Sequence, residues 1–143
     1  MRRTLIFFVW VMVLIQFIRV EYTNPPSKPE NDLIAITNPP EEVQKILKSS
    51  CYHCHSNNTV WPWYSQIAPA SWWIKHHVDE GRRHFNFSEW HEMDARHVER
   101  FVEEAEYEVL EGDMPLPPFT LMHKGTKLTE QQKDVLITWL SSL

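Results

Sequence analysis

Five adjacent residues hold the most reactive side chains of the protein. Residues 51–55 read CYHCH and contain both cysteines and two of the eight histidines of the 143-residue chain. Thiols this close can bind a metal, cycle as a dithiol or anchor a cofactor. On a helical turn, positions i, i+3 and i+4 share one face, so Cys51, Cys54 and His55 can approach one planar ligand together. His53 faces away on such a turn, and we expect it to be exposed.

The spacing C-x-x-C-H is the attachment signature of c-type haem. In that chemistry the two thiols form thioethers with the porphyrin vinyl groups, and the imidazole binds the iron from one side. A second protein ligand must be a soft sulfur or another imidazole. Met114, in the Pro-rich stretch GDMPLPPF, is the preferred candidate. The competitors are Met122, His123, His76 and His77.

An aromatic stretch, WPWYSQIAP at residues 61–69, follows the motif. Aromatic side chains bury a large area with little loss of entropy, which suits the lining of a pocket for an apolar disc. We therefore expect Trp61, Trp63 and Tyr64 to contact the cofactor, although an ordinary aromatic core would use the same residues. Arg82 and Arg83 could pair with its carboxylates.

Two other uses of the cysteines are disfavoured. A zinc site would need Cys51, Cys54, His55 and one distant histidine, and the chain has no second pair of ligands at a suitable spacing. A dithiol enzyme would require a neighbouring βαβ pattern, and no alternating strand is visible.

The apolar periodicity predicts an all-α fold. A short helix over 39–48 has Val43, Ile46 and Leu47 on one stripe, and a second runs over 69–80 with Gly81 as its stop. The third begins at Asp94 and ends before Gly112, with an inner stripe of Ala95, Val98, Val102, Ala105 and Val109. The last starts at Thr129, which Gln132 can cap, and its inner face is Val135, Leu136, Trp139, Leu140 and Leu143. Long ordered loops are expected at 56–68 and 112–128.

The amino-terminal residues predict export. Residues 4–18 contain no charge and follow Arg2 and Arg3, and no small-residue cleavage site follows. We expect residues 1–20 to be an uncleaved signal anchor, a membrane helix of a single-pass protein in the bacterial inner membrane whose domain faces the periplasm. Residues 21–37 are rich in proline and predict a tether, and residues 38–143 form the domain.

The formal net charge of −5 disfavours nucleic-acid binding. Acidic residues concentrate between Glu89 and Asp113. The third helix therefore offers a negative face, which either steers a basic redox partner or is a solvated surface.

The order of helix, CxxCH, aromatic loop, helices, Met-Pro loop and final helix resembles class I cytochromes c. More closely, CYHCHSNNTVWPWYSQIAPASWWIKHHVDEGRRHFNFSEW and the later EGDMPLPPF are similar to the bacterial haem-binding domain family with a cytochrome c-like fold. The similarity covers about residues 38–143. It implies a small cytochrome c-like domain around a covalent haem c, attached at Cys51 and Cys54, with His55 as the proximal ligand and Met114 as the distal ligand.

Two functions follow from these expectations. An iron held by His55 and Met114 has no open position, which suits single-electron transfer between Fe(III) and Fe(II) with protein partners. If Met114 does not bind the iron, the alternative is a haem-based peroxidase or a gas or redox sensor. An electron carrier is favoured over an enzyme.

Overall fold

The computed structural model describes residues 1–143 and contains eight α-helices and no β-strand. The helices are α1 (Arg2–Ile15), α2 (Leu33–Thr37), α3 (Glu41–Ser50), α4 (Tyr52–His55), α5 (Ala70–His84), α6 (Ala95–Glu111), α7 (Pro117–Met122) and α8 (Glu130–Leu140). Short 3₁₀ helices lie at Pro29–Asn31, Trp63–Gln66 and Phe87–Glu92. The chain is thus all-helical, as its periodicity predicts.

Helix α3 forms where the sequence predicts a helix. Two glutamates in its first turn and Lys48 in its last turn complement the helix dipole. Its apolar stripe of Val43, Ile46 and Leu47 is buried. This stripe faces the core and fixes the helix that leads directly into Cys51.

Helices α6 and α8 begin at the caps that the sequence predicts. The Asp94 side chain accepts a hydrogen bond from the His97 backbone N–H at 2.9 Å, and Gly112 ends α6 with a positive φ of 82°. Thr129 and Gln132 form a reciprocal capping box at the start of α8. The segment between these helices is not one continuous loop, because α7 interrupts it.

One hydrophobic core joins the helices. Helix α8 packs against both α3 and α6. Aromatic residues contribute much of its volume, and Phe101 meets the rings of Phe85 and Trp90 edge to face at 5.1 Å. The core consists of Leu33, Val43, Ile46, Leu47, Phe85, Phe87, Trp90, Phe101, Val109, Leu128, Leu136, Trp139 and Leu140.

The prediction of an amino-terminal membrane helix is wrong, and with it the placement as a single-pass protein of the bacterial inner membrane. Helix α1 has 14 residues, about 21 Å at 1.5 Å per residue, whereas a bilayer core is about 30 Å thick. No helix in the chain has both the length and the apolar character needed to cross a membrane. The apolar run continues beyond the end of the helix at Ile15, where the Gln16 side chain exchanges two hydrogen bonds of 3.0 Å with the Ala68 backbone.

Residues 16–28, which we call the strap, run along the surface of the helical domain. Trp72 donates its indole N–H to the Ile18 carbonyl at 3.0 Å, and Asn24 donates to the Thr59 carbonyl at 2.8 Å. The Tyr22 hydroxyl bonds the Ser65 carbonyl. The division of the chain at residues 20 and 37 stays a prediction.

Helix α5 is longer than the sequence predicts. It continues through Gly81 to His84, so the interpretation of Gly81 as a helix stop is wrong. The glycine instead permits a close approach. A Cβ atom at Gly81 would lie 2.9 Å from the Cys54 carbonyl oxygen, closer than real side chains come. Gly81 therefore allows α5 to pack directly against the turn that holds the cysteines.

Candidate functional site

The CYHCH motif forms a single helical turn between α3 and α5. The Cys51 N–H continues the helical bonding of α3 by donating to the Leu47 carbonyl at 2.9 Å. The His55 N–H donates to the Cys51 carbonyl at 3.0 Å, which closes the turn. Both cysteines are free and half-buried.

A cavity of about 320 Å³ opens beside this turn. Its wall contains Cys51, Cys54, His55 and Met114, so the structure brings together the four residues of the predicted attachment and ligand set. The rest of the wall is largely apolar, as a porphyrin disc requires. The apolar side chains are Leu47, Phe85, Phe87, Phe101, Ala105, Val109, Pro115, Leu116, Phe119, Leu128, Leu136 and Leu140.

His55 is held in a state that can bind a metal. Its Nδ1 lies 3.2 Å from the Phe85 carbonyl oxygen, and its ring stacks on Phe87 with centroids 5.6 Å apart. Because a carbonyl can only accept, Nδ1 carries the proton and Nε2 keeps its lone pair. Burial lowers the pKa of His55, against smaller opposing effects of the Phe85 and Gly81 carbonyls. The imidazole is therefore neutral near pH 7.

The two thiols are protonated in this setting. Burial raises the pKa of Cys51 to about 12 and that of Cys54 to about 11. A dithiol enzyme needs a thiolate, so these values disfavour that use. No group of three or more His, Cys, Asp or Glu side chains is arranged to hold a metal ion.

One part of the cavity wall is polar. Helix α5 contributes His77, Glu80 and His84, and α6 contributes Glu104 and Glu108. Each set repeats at intervals of three or four residues and therefore follows one helix face. The Nδ1 atom of His77 donates to the Trp73 carbonyl at 2.8 Å, which leaves its Nε2 as the free acceptor.

Among the competitors of Met114, only His77 is in the cavity wall. Met122 is 55% exposed, and the His76 side chain is 66% exposed. His123 uses both ring nitrogens, with Nδ1 near the Phe119 carbonyl at 3.1 Å and Nε2 near the Tyr64 hydroxyl at 3.3 Å.

The structure places Trp61, Trp63 and Tyr64 outside the cavity wall. Trp61 packs against Tyr22 of the strap, with ring centroids 4.7 Å apart. Trp63 is 75% exposed and contacts the edge of Tyr64. Trp61 thus contacts the strap, whereas Tyr64 contacts His123 at the end of α7.

Arg82 and Arg83 also lie outside the wall. Arg82 bonds the Ser56 and Thr23 carbonyls, the Asn24 side chain and the Thr59 hydroxyl at 2.8–2.9 Å. The exposed Arg83 pairs with Glu80. Arg82 therefore joins the strap to the segment after the CYHCH turn. Its guanidinium keeps no free pair of N–H groups for a carboxylate.

The expectation that His53 is exposed is wrong. Its ring lies 5.3 Å from that of Phe119 and 5.9 Å from that of His123, and it is half-buried. Burial, followed by the nearby His123, lowers its pKa. The reason is α7, which the sequence analysis reads as loop and which covers this side of the turn.

Sequence reasoning missed several wall residues. Phe101 lies four residues before Ala105 and eight before Val109, so it belongs to the same face of α6 and could have been found by that spacing. Phe85 and Phe87 follow the end of α5 and carry no periodic signal. Their place in the cavity wall is shown only by the tertiary structure.

Fold and site together define an all-helical protein with a largely apolar cavity of about 320 Å³ and a neutral imidazole in its wall. A family model described as haem-binding domain matches residues 10–142. The chain belongs to this haem-binding domain family, and haem is the cofactor that the membership supports. No curated protein and no solved structure shows significant similarity to the chain.

Proposed function

We propose that this protein is a c-type haem protein that transfers single electrons. The observation that carries the proposal is the shared cavity wall of Cys51, Cys54, His55 and Met114. Thioethers at the two cysteines would fasten the cofactor, His55 Nε2 would bind the iron, and the Met114 sulfur would bind it as the second ligand. When bound, haem supplies an iron that exchanges one electron between Fe(III) and Fe(II).

The surrounding residues have separate tasks in this proposal. The Phe85 carbonyl keeps the proton of His55 on Nδ1, and the raised thiol pKa values protect Cys51 and Cys54 from oxidation before attachment. The apolar wall excludes water from the iron. Prolines on either side of Leu116 restrict the segment that carries Met114.

A second candidate function is a peroxidase or sensor with an open position at the iron. His77 favours it, because this imidazole lies in the same cavity wall with a free Nε2 and could exchange a proton with a bound small molecule. This function requires that Met114 does not bind the iron.

The experiment is to produce the full chain with and without c-type haem-attachment machinery and to record alkaline pyridine spectra after denaturation. The proposal expects a c-type signal only with the machinery, and its loss in the variant C51A/C54A. A methionine-sulfur band in the ferric protein supports the electron carrier, and high-spin ferric iron supports the open site. A denatured chain that releases all its haem to acid–acetone contradicts covalent attachment.

A further inference from the structure

Just after the CYHCH turn, a network of buried polar side chains links Asn57 to residues 86–88. Asn57, Asn86 and Ser88 are each less than 9% exposed. All of their buried polar side-chain atoms have hydrogen-bond partners. Burying three polar side chains beside an apolar cavity is costly unless each is hydrogen-bonded.

The network joins the two segments side by side. Asn86 Nδ2 donates to Asn57 Oδ1 at 2.9 Å, and the Asn57 backbone N–H donates to the Ser88 hydroxyl at 3.1 Å. The Asn86 Oδ1 accepts from the Ser88 backbone N–H at 3.1 Å. Asn86 therefore bonds its own segment through Oδ1 and the segment after the CYHCH turn through Nδ2.

The Phe85 carbonyl, which accepts the His55 proton, belongs to the peptide unit that joins Phe85 to Asn86. On one side, the Phe85 N–H bonds the Gly81 carbonyl at 3.0 Å, and its ring is buried in the core. On the other side, Asn86 is fixed by the network. The Phe85 carbonyl is thus fixed from both sides, and its oxygen lies 3.2 Å from His55 Nδ1. We call this arrangement the clamp.

We propose that Asn57, Asn86 and Ser88 are positioning residues that hold the Phe85 carbonyl against His55 and thereby set the reduction potential of the haem iron. The inference rests on the proposed function. A hydrogen bond from Nδ1–H makes the imidazole a stronger donor to the metal, and such outer partners tune the site. An imidazole that donates more electron density stabilises Fe(III) relative to Fe(II), so the network keeps the reduction potential of the iron low.

The test uses the haem-loaded full chain and the variants Asn86→Ala and Ser88→Ala. Both loosen the clamp without touching a ligand. The midpoint potential of each is expected to rise above that of the unmodified protein, with the pyridine spectrum and the methionine-sulfur band retained. Proton NMR of the reduced protein should show faster solvent exchange of the His55 Nδ1–H.

The control is Thr126→Val, which removes another buried hydroxyl, bonded to the His123 carbonyl at 2.7 Å, outside the network. It is expected to leave the potential and the exchange rate unchanged. If Asn86→Ala does not fold, Ser88→Ala, which removes one acceptor, decides the question.

A potential and an exchange rate unchanged in a folded, haem-loaded Ser88→Ala protein would overturn the inference and assign the network to stability alone. Failure of the proposed function gives a different result, because the unmodified chain then shows no c-type pyridine spectrum. In that event nitrogen NMR of the full chain still tests the clamp, because it shows which ring nitrogen of His55 carries the proton. The Nδ1–H form in the unmodified chain and a tautomer mixture in Ser88→Ala support it.

Discussion

At the scale of single residues, the account depends on where Met114 and Met122 lie. Met114 is in the cavity wall, whereas Met122 is largely exposed at the end of α7. Both stand in the same Pro-rich region of the sequence, so the spacing alone leaves them as competitors. Their different surroundings make them a matched pair for testing the second ligand.

Replacing Met114 by alanine is expected to abolish the methionine-sulfur band of the ferric haem protein and to give a high-spin spectrum, because the iron loses its thioether. Covalent haem should remain. The measurement is the optical spectrum of the oxidised protein, and Met122→Ala should leave that spectrum unchanged. A band that survives in M114A and disappears in M122A would refute the ligand assignment.

The buried thiols give a pH-dependent prediction for the haem-free chain. With pKa values raised to about 12 and about 11, far less thiolate is present at pH 8 than in an exposed cysteine. Alkylation of Cys51 and Cys54 by iodoacetamide should therefore be at least about 100-fold slower in the folded chain than in denaturant. Mass spectrometry of timed samples measures both rates.

The raised pKa values of the two thiols also determine how the stability of the folded chain changes with pH. The unfolded chain loses its thiol protons first, at a pH of about 8.5. The contribution of the two thiols to stability is complete below that pH and is lost as the pH rises through about 11 for Cys54 and about 12 for Cys51. Equal alkylation rates in the folded and the denatured chain would show that the thiols are not buried.

At the scale of secondary-structure elements, the contact between α4 and α5 depends on Gly81. In most helices a glycine-to-alanine change stabilises by about 1 kcal/mol. Here the new methyl group would meet the Cys54 backbone, so Gly81→Ala should lower the free energy of unfolding by about 1–3 kcal/mol and reduce haem loading. Urea unfolding measures the change, and a stabilised variant would contradict this packing.

The strap and α5 are joined chiefly through Arg82. Arg82→Ala should destabilise the protein by about 2 kcal/mol, because it leaves two part-buried acceptors, the Ser56 carbonyl and the Thr59 hydroxyl, without their donor. Hydrogen exchange should accelerate across residues 16–28. The matched control is Arg83→Ala, whose exposed ion pair with Glu80 should contribute less than about 1 kcal/mol. Equal effects of the two substitutions would contradict the role given to Arg82.

The sequence predicts those elements whose ends are decided locally. Helices α6 and α8 carry their own caps and apolar stripes, and α3 carries its own apolar stripe. Each of the three forms close to its expected bounds. The ends of α1 and α5 depend on partners distant in the chain. Ala68 binds Gln16 after α1 has ended, and Cys54 packs on Gly81 in mid-helix. No local pattern contains this information.

At the scale of the whole molecule, the sequence was sufficient to predict the haem cofactor, but it predicted the cavity wall only in part. The C-x-x-C-H spacing identifies Cys51, Cys54 and His55 as candidates, and a position in a Pro-rich loop identifies Met114. The aromatic wall residues Phe85 and Phe87 were not predicted, because they follow the end of α5 and belong to no periodic apolar pattern. The more conspicuous tryptophans at 61 and 63 lie on the side of the strap.

The central claim is that the thiols of Cys51 and Cys54 fasten one haem covalently in the cavity beside His55. The most direct measurement is the intact mass of the denatured full chain after production with c-type attachment machinery. The account predicts the mass of the polypeptide plus one haem, and of the polypeptide alone for C51A/C54A. A denatured wild-type chain at the mass of the bare polypeptide, with both thiols open to alkylation, would contradict it.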